Sequence, residues 1–528
     1  MHQHRHVTPA TRWMTALGWL VLILIVLATV VLPRIGTLSA MPSTDEGFMA
    51  YFAMRTHAAL LAHQGLPADG TLMVYPLTLF WVFGLDLQPL VALRAVDMGI
   101  AALASLLLLR LLVLESRSLV IGAAVGAVFL LAMNDPSFVQ SGFKNSLYAA
   151  YLPLFAALLL ARGAAPTSTW RWFGIGALVA AGILLRETLA PFALLGLCAV
   201  WWGHGRRAVL WFGAGGAVTA LCVLTLIVLL RGGAYGLLEA YRDAGIVYQS
   251  LQAQRAEFFH NAVVTSFNVS RPALFLAATG ITLALVLRLI TRDTHGLARA
   301  LFWCGCALVA LIEPATKIGF PYHFAVALPA LALLTTMAWR IVFAALAGTR
   351  EAAAAAGLAA LAALSLVQPV SAHLAALPEA ARSASTTLHK GWAIDAASTS
   401  NYLLAGEMIQ HATPPGGTAS VSGFMFSLYP ISGTLPPSGK LGNLSALLIQ
   451  LGLDPRRLQQ AIASCPPDVI MTTTRTDWPG APEIEAAVVA TGLYRPFGVV
   501  PVDPSKPYGT FGGTVYRRTD TRAHHCAL

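Results

Sequence analysis

Long apolar runs, separated by short polar connections, dominate the first two thirds of the chain. Runs of roughly 17 to 25 apolar residues match the length of an α-helix that crosses a hydrocarbon layer. The runs lie at about 17–32, 89–114, 118–133, 146–162, 172–186, 188–203, 208–230, 272–290, 300–314, 322–339 and 352–369. The pattern therefore predicts a polytopic α-helical membrane protein with about eleven transmembrane helices.

The pattern changes at about residue 370, where Pro, Gly, Ser and Thr become frequent and no later run is long enough to span. Alternating and β-rich segments predict short strands at 421–424, 468–473, 497–502 and 514–518. Helical periodicity appears at 402–411, 454–464 and 482–491. Two domains are expected: a transmembrane domain over 1–369, with a long outer loop at 34–88, and an α/β domain over 370–528.

Charge indicates how the spans are oriented. Only 11% of the 528 residues are charged, 57% are hydrophobic, and the net charge is +10. The basic residues fall in short clusters between spans, which favours a membrane orientation signal over a nucleic-acid partner. With a cytoplasmic N-terminus and an uncleaved first span, each predicted cytoplasmic loop carries at least two arginines: Arg110 and Arg117, Arg162 and Arg171, Arg206 and Arg207, Arg288, Arg292 and Arg299, and Arg340 and Arg350. The C-terminal domain is then expected outside the cytoplasm.

The cysteine and histidine residues give little indication of a metal site or of a particular reaction. No His or Cys spacing is typical of a zinc site, so no metal-ligating residue is assigned. Cys465 and Cys526 both fall in the outer domain, where an oxidising compartment allows either a disulfide or two free thiols.

Two adjacent carboxylates, Asp45 and Glu46, follow the first span in the string Ser43-Thr44-Asp45-Glu46-Gly47. Ionisable groups inside or beside a bilayer are costly and tend to be functional. The alternative is a helix N-cap, because Ser, Thr and Asp are good capping residues and acids are favoured in the first helical turn. Both interpretations can hold together.

Downstream of this pair lie Tyr51, Gly65-Leu66-Pro67, Tyr75-Pro76, Phe83-Gly84 and Ala92-Leu93-Arg94. This order resembles the first outer loop of GT-C membrane glycosyltransferases, a group that includes protein O-mannosyltransferases and lipid A aminoarabinose transferases. Further points of resemblance are Leu185-Arg186-Glu187-Thr188, Pro321-Tyr322-His323, Leu328-Pro329 and Val515-Tyr516-Arg517-Arg518.

The resemblance implies a function at the outer face of the bacterial inner membrane. Such enzymes transfer a sugar, with inversion, from a polyprenyl-phosphate donor to the hydroxyl of a lipid, polysaccharide or protein acceptor. Asp45 is expected to be the general base, a role usually worth about 10² to 10⁴ in rate, with Glu46 orienting it. The reverse assignment stays open, because adjacent residues face different directions.

A phosphate leaving group needs fixed positive charge. The expected donor-phosphate ligands are Arg94, Arg186, Lys317, Tyr322 and His323, and the expected substrate-cavity residues are Arg55, Tyr75, Lys144, Glu187 and Arg255. Structural alternatives are an Arg186–Glu187 pair that locks helices, aromatic anchoring by Tyr322, and an interfacial helix over 235–261. Lys144 stands where many relatives carry an acid, and this departure leaves the cofactor, a divalent metal in particular, unassigned.

Three rival functions fit the same composition. An O-antigen-type ligase would use a pyrophosphate-linked donor and rely on outer-loop Arg and His. A transporter or flippase for lipid-linked sugars would usually show an internal repeat of spans, and none is visible. A non-catalytic subunit of an assembly complex would have no need to keep Asp45 and Glu46.

Overall fold

The computed structural model describes residues 9–40, 44–62, 78–139, 146–162, 164–165, 167–230, 238–239, 241–243, 245–246, 249, 255–292, 296–317, 320–346, 349–392, 400–474, 480–505, 511–520 and 526. They form two compact units. The helical unit comprises Met1–Thr37, Val96–Leu221 and Gln254–Ala381, and the loop-and-sheet unit comprises Leu38–Ala95, Cys222–Ala253 and Arg382–Leu528.

Apolar helices account for all the predicted spans. Within the described residues, seven helices are long and apolar enough to cross a membrane, and Leu119–Met133, Leu147–Ala161 and Thr169–Leu185 are shorter apolar helices. The main helices are Pro9–Val26, Leu32–Thr37, Thr44–Leu61, Pro89–Ser116, Leu119–Met133, Ser146–Ala161, Thr169–Leu185, Ala190–Leu230, Arg255–Thr291, Leu297–Ala310, Leu328–Ala345 and Thr349–Lys390. The prediction of a polytopic helical membrane protein is confirmed.

The stretch Glu187–Leu229 contains two of the predicted spans. Its 43 residues would reach about 64 Å as one helix, roughly twice the thickness of a hydrocarbon layer. Gly205 interrupts it with a backbone φ of +79°, a conformation that glycine adopts without a Cβ penalty. The kink therefore divides the stretch into two parts of membrane-spanning length.

Two helices extend beyond the runs that predicted them. Arg255–Thr291 contains Pro272 and begins well before 272, and Thr349–Lys390 contains Pro369 and Pro378 and passes through residue 370. Polar residues and internal prolines hide these extensions from hydropathy, although neighbouring helices and side chains make proline tolerable in such helices. The predicted domain boundary at 370 thus falls inside a continuous helix.

Side chains from several spans form the core of the helical unit. Leu108, Phe129, Phe155 and Leu333 are buried there. The helices that contribute them, Pro89–Ser116, Leu119–Met133, Ser146–Ala161 and Leu328–Ala345, therefore pack against one another and hold their polar ends in fixed positions.

The predicted C-terminal α/β region is confirmed. Four strands, β1 (Ala419–Val421), β2 (Val469–Met471), β3 (Tyr494–Val500) and β4 (Gly513–Arg518), form a sheet in the order β1-β2-β4-β3. β1 pairs parallel with β2, and the other two pairings are antiparallel. The accompanying helices are Asn401–Ala412, Leu428–Ser432, Leu444–Gln450, Pro455–Ser464 and Ala481–Ala490. Cys465 and Cys526 form a disulfide, with Cα atoms 4.5 Å apart, which resolves the alternatives in favour of pairing.

Candidate functional site

The helix Thr44–Leu61, called here the first-loop helix, carries Glu46 in a buried ion pair with Arg94. Arg94 donates from Nε to Oε1 of Glu46 at 2.5 Å and from Nη2 to Oε2 at 2.7 Å. Both side chains are 0% exposed. This two-point arginine–carboxylate geometry fixes the orientation of the carboxylate as well as its position.

Arg94 also anchors the chain that leads into the first-loop helix. Its Nη1 donates to the carbonyl oxygens of Leu38 at 2.8 Å and Ala40 at 2.7 Å. Its guanidinium lies 5.9 Å from the ring centre of Trp392, whose indole N–H donates to the carbonyl of Ser39 at 3.0 Å. The single arginine therefore ties residues 38–40 to Glu46 at the start of the first-loop helix.

Packing against the C-terminal region positions the rest of the first-loop helix. A Cβ at Gly47 would lie 2.1 Å from the backbone nitrogen of Ser427, so the absence of a side chain permits this close approach. Tyr51 stacks on Tyr429 with ring centres 4.7 Å apart. Arg55, half-buried, lies over the ring of Tyr51 at 5.5 Å.

Three of the predicted site residues are not covered by this geometry. The backbone of Asp45 belongs to the first-loop helix, but its side chain lies outside the described residues, as do Tyr75 and Lys144 entirely. Their assigned roles stay predictions.

A second polar group, called here the Glu313 cluster, is formed in the helical unit. Glu313 accepts from Arg186 Nε at 3.0 Å and Nη2 at 2.5 Å, and from the Thr188 hydroxyl at 2.5 Å. Arg186 and Glu313 are separated by 127 residues and are both almost fully buried. The break between the helices Thr169–Leu185 and Ala190–Leu230 places Arg186 where it can reach the end of another span. Glu187, the neighbour that the sequence suggested as partner, is exposed.

More of the predicted phosphate ligands gather at the same carboxylate. Lys317 Nζ lies 3.7 Å and His323 Nε2 3.9 Å from Glu313 Oε1. His323 Nδ1 accepts from the backbone N–H of Phe320 at 3.1 Å, which leaves Nε2 as the protonated nitrogen of the neutral ring. The Tyr322 ring centre lies 4.3 Å from that of His323. Arg255 donates to the carbonyl of Ala315, in the same turn as Glu313.

Positive charge is in excess at the Glu313 cluster. Arg186, Lys317 and Arg255 surround Glu313, and Lys317 is 34% exposed while Arg186 is 8% exposed. Lys317 lies between two candidate spans. Burial lowers the pKa of its ammonium group, against the opposing effect of the Glu313 carboxylate. An anion at Lys317 would stabilise the charged ammonium group and accept hydrogen bonds from it, since Glu313 Oε1 lies 3.7 Å from Nζ.

Sequence reasoning missed Glu313 and a buried pair between Arg34 and Asp97. Arg34 Nη1 donates to Asp97 at 2.8 Å and Nε donates to Asn134 at 3.2 Å, with Arg34 2% and Asp97 0% exposed. The available signal was the presence of acids inside apolar runs, since a charge in a span marks a partner or a function. Among the described residues, no group of three or more His, Cys, Asp or Glu side chains is placed to hold a metal ion.

Comparison with known proteins identifies the fold. No family model and no curated protein matches the sequence. Among solved structures, the chain is similar to the crystal structure of ArnT from Cupriavidus metallidurans bound to undecaprenyl phosphate, with a TM-score of 0.55 at 14% identity. The similarity covers 98% of this chain and 100% of ArnT. At this identity the similarity shows the fold, and this chain therefore has the fold of ArnT over essentially its whole length.

Proposed function

We propose that this protein is an inverting glycosyltransferase that moves a sugar from a polyprenyl-phosphate donor to an acceptor hydroxyl at the outer face of the bacterial inner membrane. The observation that carries the proposal is the fold, which matches that of ArnT bound to undecaprenyl phosphate along 98% of the chain. The acceptor is a lipid, a polysaccharide or a protein.

The acid pair supports a division of roles. Both Glu46 oxygens accept hydrogen bonds from Arg94, and the Glu46 side chain is fully buried. An acceptor hydroxyl cannot approach a carboxylate held in this way without breaking the pair. Asp45 is therefore assigned as the general base, and Glu46 as the residue that fixes the start of the first-loop helix and thereby positions Asp45.

The reaction then follows a single displacement. Asp45 takes the proton of the acceptor hydroxyl while the acceptor oxygen forms a bond to the anomeric carbon. The bond from that carbon to the phosphate oxygen breaks on the opposite face, so the configuration inverts. The electron pair leaves with the polyprenyl phosphate, whose developing negative charge is stabilised by fixed cations.

The Glu313 cluster is the proposed site for the donor phosphate. Arg186 is almost fully buried and holds Glu313 at two points, so its role is to keep the cluster assembled. Lys317 is partly exposed and lies 3.7 Å from Glu313. Its ammonium group is therefore the cation that donates hydrogen bonds to the phosphate. Arg255 adds positive charge beside this lysine, and the neutral His323 ring offers its Nε2–H as a further donor.

Binding of the donor carrier tests this proposal directly. Undecaprenyl phosphate should be retained by the purified protein in native mass spectrometry, and Lys317→Ala should weaken its binding about tenfold or more, as expected for one charge-assisted contact. Lys390→Ala is the matched control, because Lys390 is an exposed lysine at the end of the helix Thr349–Lys390. Equal binding by both variants and the wild type would remove Lys317 from the phosphate site.

A further inference from the structure

A third charged group, called here the Glu115 cluster, lies at the ends of four helices of the helical unit. Glu115 Oε2 lies 2.6 Å from Arg162 Nη2 and 3.2 Å from Arg299 Nη1. Arg340 Nη1 donates to the Glu115 carbonyl at 3.2 Å. Arg117 lies close enough to Arg340 for their positive charges to repel each other. Arg162 and Arg299 thus contact the Glu115 carboxylate, Arg340 contacts the backbone carbonyl of the same residue, and Arg117 adds a fourth guanidinium group nearby.

One carboxylate cannot neutralise four guanidinium groups, so the cluster keeps an excess of about three positive charges at neutral pH. The Glu115 side chain is 6% exposed, whereas Arg162 and Arg299 are 30% and 58% exposed. The negative charge is therefore enclosed and the positive charge faces outward. This arrangement is suited to a further anion that contacts the arginines from outside.

Helix lengths place this cluster on the membrane face opposite the Glu313 cluster. Arg299 and Glu313 lie in one candidate span, Leu297–Thr316, and their separation in sequence corresponds to roughly 20 Å along a helix. Arg340 and His323 lie in the next, Pro321–Ala345, roughly 25 Å apart on the same basis. The two clusters therefore occupy opposite ends of the same pair of helices.

Exposed apolar side chains border the arginines. Leu160 precedes Arg162 and is 40% exposed, while Leu297 and Leu301 flank Arg299 and are 51% and 61% exposed. A free inorganic anion would make no favourable contact with these apolar side chains. A phospholipid presents a phosphate group next to acyl chains, which matches both parts of the surface.

We propose that the Glu115 cluster binds the phosphate headgroup of an anionic phospholipid in the leaflet opposite the Glu313 cluster. The headgroup phosphate contacts Arg162 and Arg299, and its acyl chains lie along the leucines beside them. This inference does not depend on the proposed sugar transfer, since it concerns the other end of the helices.

Lipid binding to the full-length protein in neutral detergent tests the inference. The probes are phosphatidylglycerol, phosphatidylcholine with the same acyl chains, and inorganic phosphate, with binding followed by native mass spectrometry and thermal shift. Phosphatidylglycerol should bind and stabilise the wild type. An equal stabilisation by phosphatidylcholine or by inorganic phosphate at the same concentration would overturn the lipid-headgroup assignment.

Matched charge variants test the location of the site. Each arginine near an anionic lipid contributes about a fivefold increase in affinity, so R162Q/R299Q should weaken phosphatidylglycerol binding by roughly 25-fold. R206Q/R207Q removes the same charge from exposed arginines of another loop and should stay within about twofold of the wild type. An equal loss in both double variants would mean that total charge, and not the Glu115 cluster, attracts the lipid.

Glu115→Gln distinguishes a binding site from a helix-locking network and keeps the test decisive if R162Q/R299Q does not fold. Removing the competing carboxylate should increase the affinity for phosphatidylglycerol about fivefold, since it frees one guanidinium charge. A purely structural cluster would show unchanged or weaker lipid binding in this variant, and that result would refute the proposal.

Discussion

Replacement of Arg94 by methionine tests how strongly the Glu46–Arg94 pair holds the first-loop helix. The variant keeps the aliphatic volume of the arginine stem and removes the guanidinium group. It leaves the Glu46 carboxylate, which is fully buried, without the cation that binds both its oxygens, and it removes the donors to Leu38 and Ala40.

The magnitude follows from these losses. Breaking a buried ion pair by removing one partner costs about 3–5 kcal/mol, and two carbonyls deprived of a donor add about 1 kcal/mol. The free energy of unfolding should therefore fall by about 4–6 kcal/mol. At roughly 2–4 °C per kcal/mol for a domain of this size, the melting temperature should fall by about 8–24 °C.

The assay is thermal unfolding in detergent, with two comparison variants. Arg457→Met removes an arginine that is 67% exposed and pairs with Asp454, and its effect should not exceed about 1 kcal/mol. Glu46→Leu/Arg94→Met removes both buried charges, a replacement that is often neutral in stability. The double variant should therefore recover most of the melting temperature without recovering sugar transfer, because the first-loop helix has lost its polar anchor.

A melting temperature for Arg94→Met within about 2 °C of the wild type would refute this reasoning. It would mean that the pair contributes little to holding the helix. A fully active double variant would show in addition that Glu46 has no positioning role.

Three further predictions concern topology and stability. Reporter fusions at His204 and Gly417 should give signals from opposite sides of the membrane, and signals from the same side would contradict the orientation inferred from the arginine-rich loops. Cys465→Ser, which removes the disulfide, should destabilise the loop-and-sheet unit by about 2–4 kcal/mol. Cys222→Ser is the control, since it removes a free thiol and should leave the stability unchanged. Equal melting temperatures for the two variants would show that the disulfide adds no stability. Glu313→Gln should destabilise the helical unit by about 3–5 kcal/mol, since it leaves buried cations unpaired, and an unchanged melting temperature would mean that water or other groups already neutralise them.

Local patterns predicted the membrane-spanning helices and several elements of the C-terminal region, because residues close in sequence determine these elements. Every apolar run of spanning length lies on a helix, since a segment in hydrocarbon has to bond its own backbone groups. The helix predicted at 402–411 is Asn401–Ala412, where the Ser400 hydroxyl accepts from the Leu403 N–H at 3.4 Å. Helix caps and hydrophobic periodicity depend on residues that are close together in sequence, so the sequence alone predicts them.

The ion pairs could not be predicted in the same way. Arg186 and Glu313 are 127 residues apart, and Arg94 and Glu46 are 48 apart, so packing of the spans decides these partners. The sequence favoured Arg186 as a phosphate ligand, and the structure places it in a buried pair with Glu313. A local pattern shows that a charge in a span needs a partner, but it does not name that partner.

The most direct measurement of the central claim is the transfer of a labelled sugar from a polyprenyl-phosphate donor to envelope acceptors, compared among the wild type, Asp45→Asn and Glu46→Gln. Asparagine keeps the size and capping ability of aspartate but cannot accept the proton. The wild type should transfer the label with inversion at the anomeric carbon, and Asp45→Asn should be slower by at least about 10² at an unchanged melting temperature, with a milder effect in Glu46→Gln. Wild-type rates in both variants, or retention of configuration in the product, would contradict the proposed mechanism.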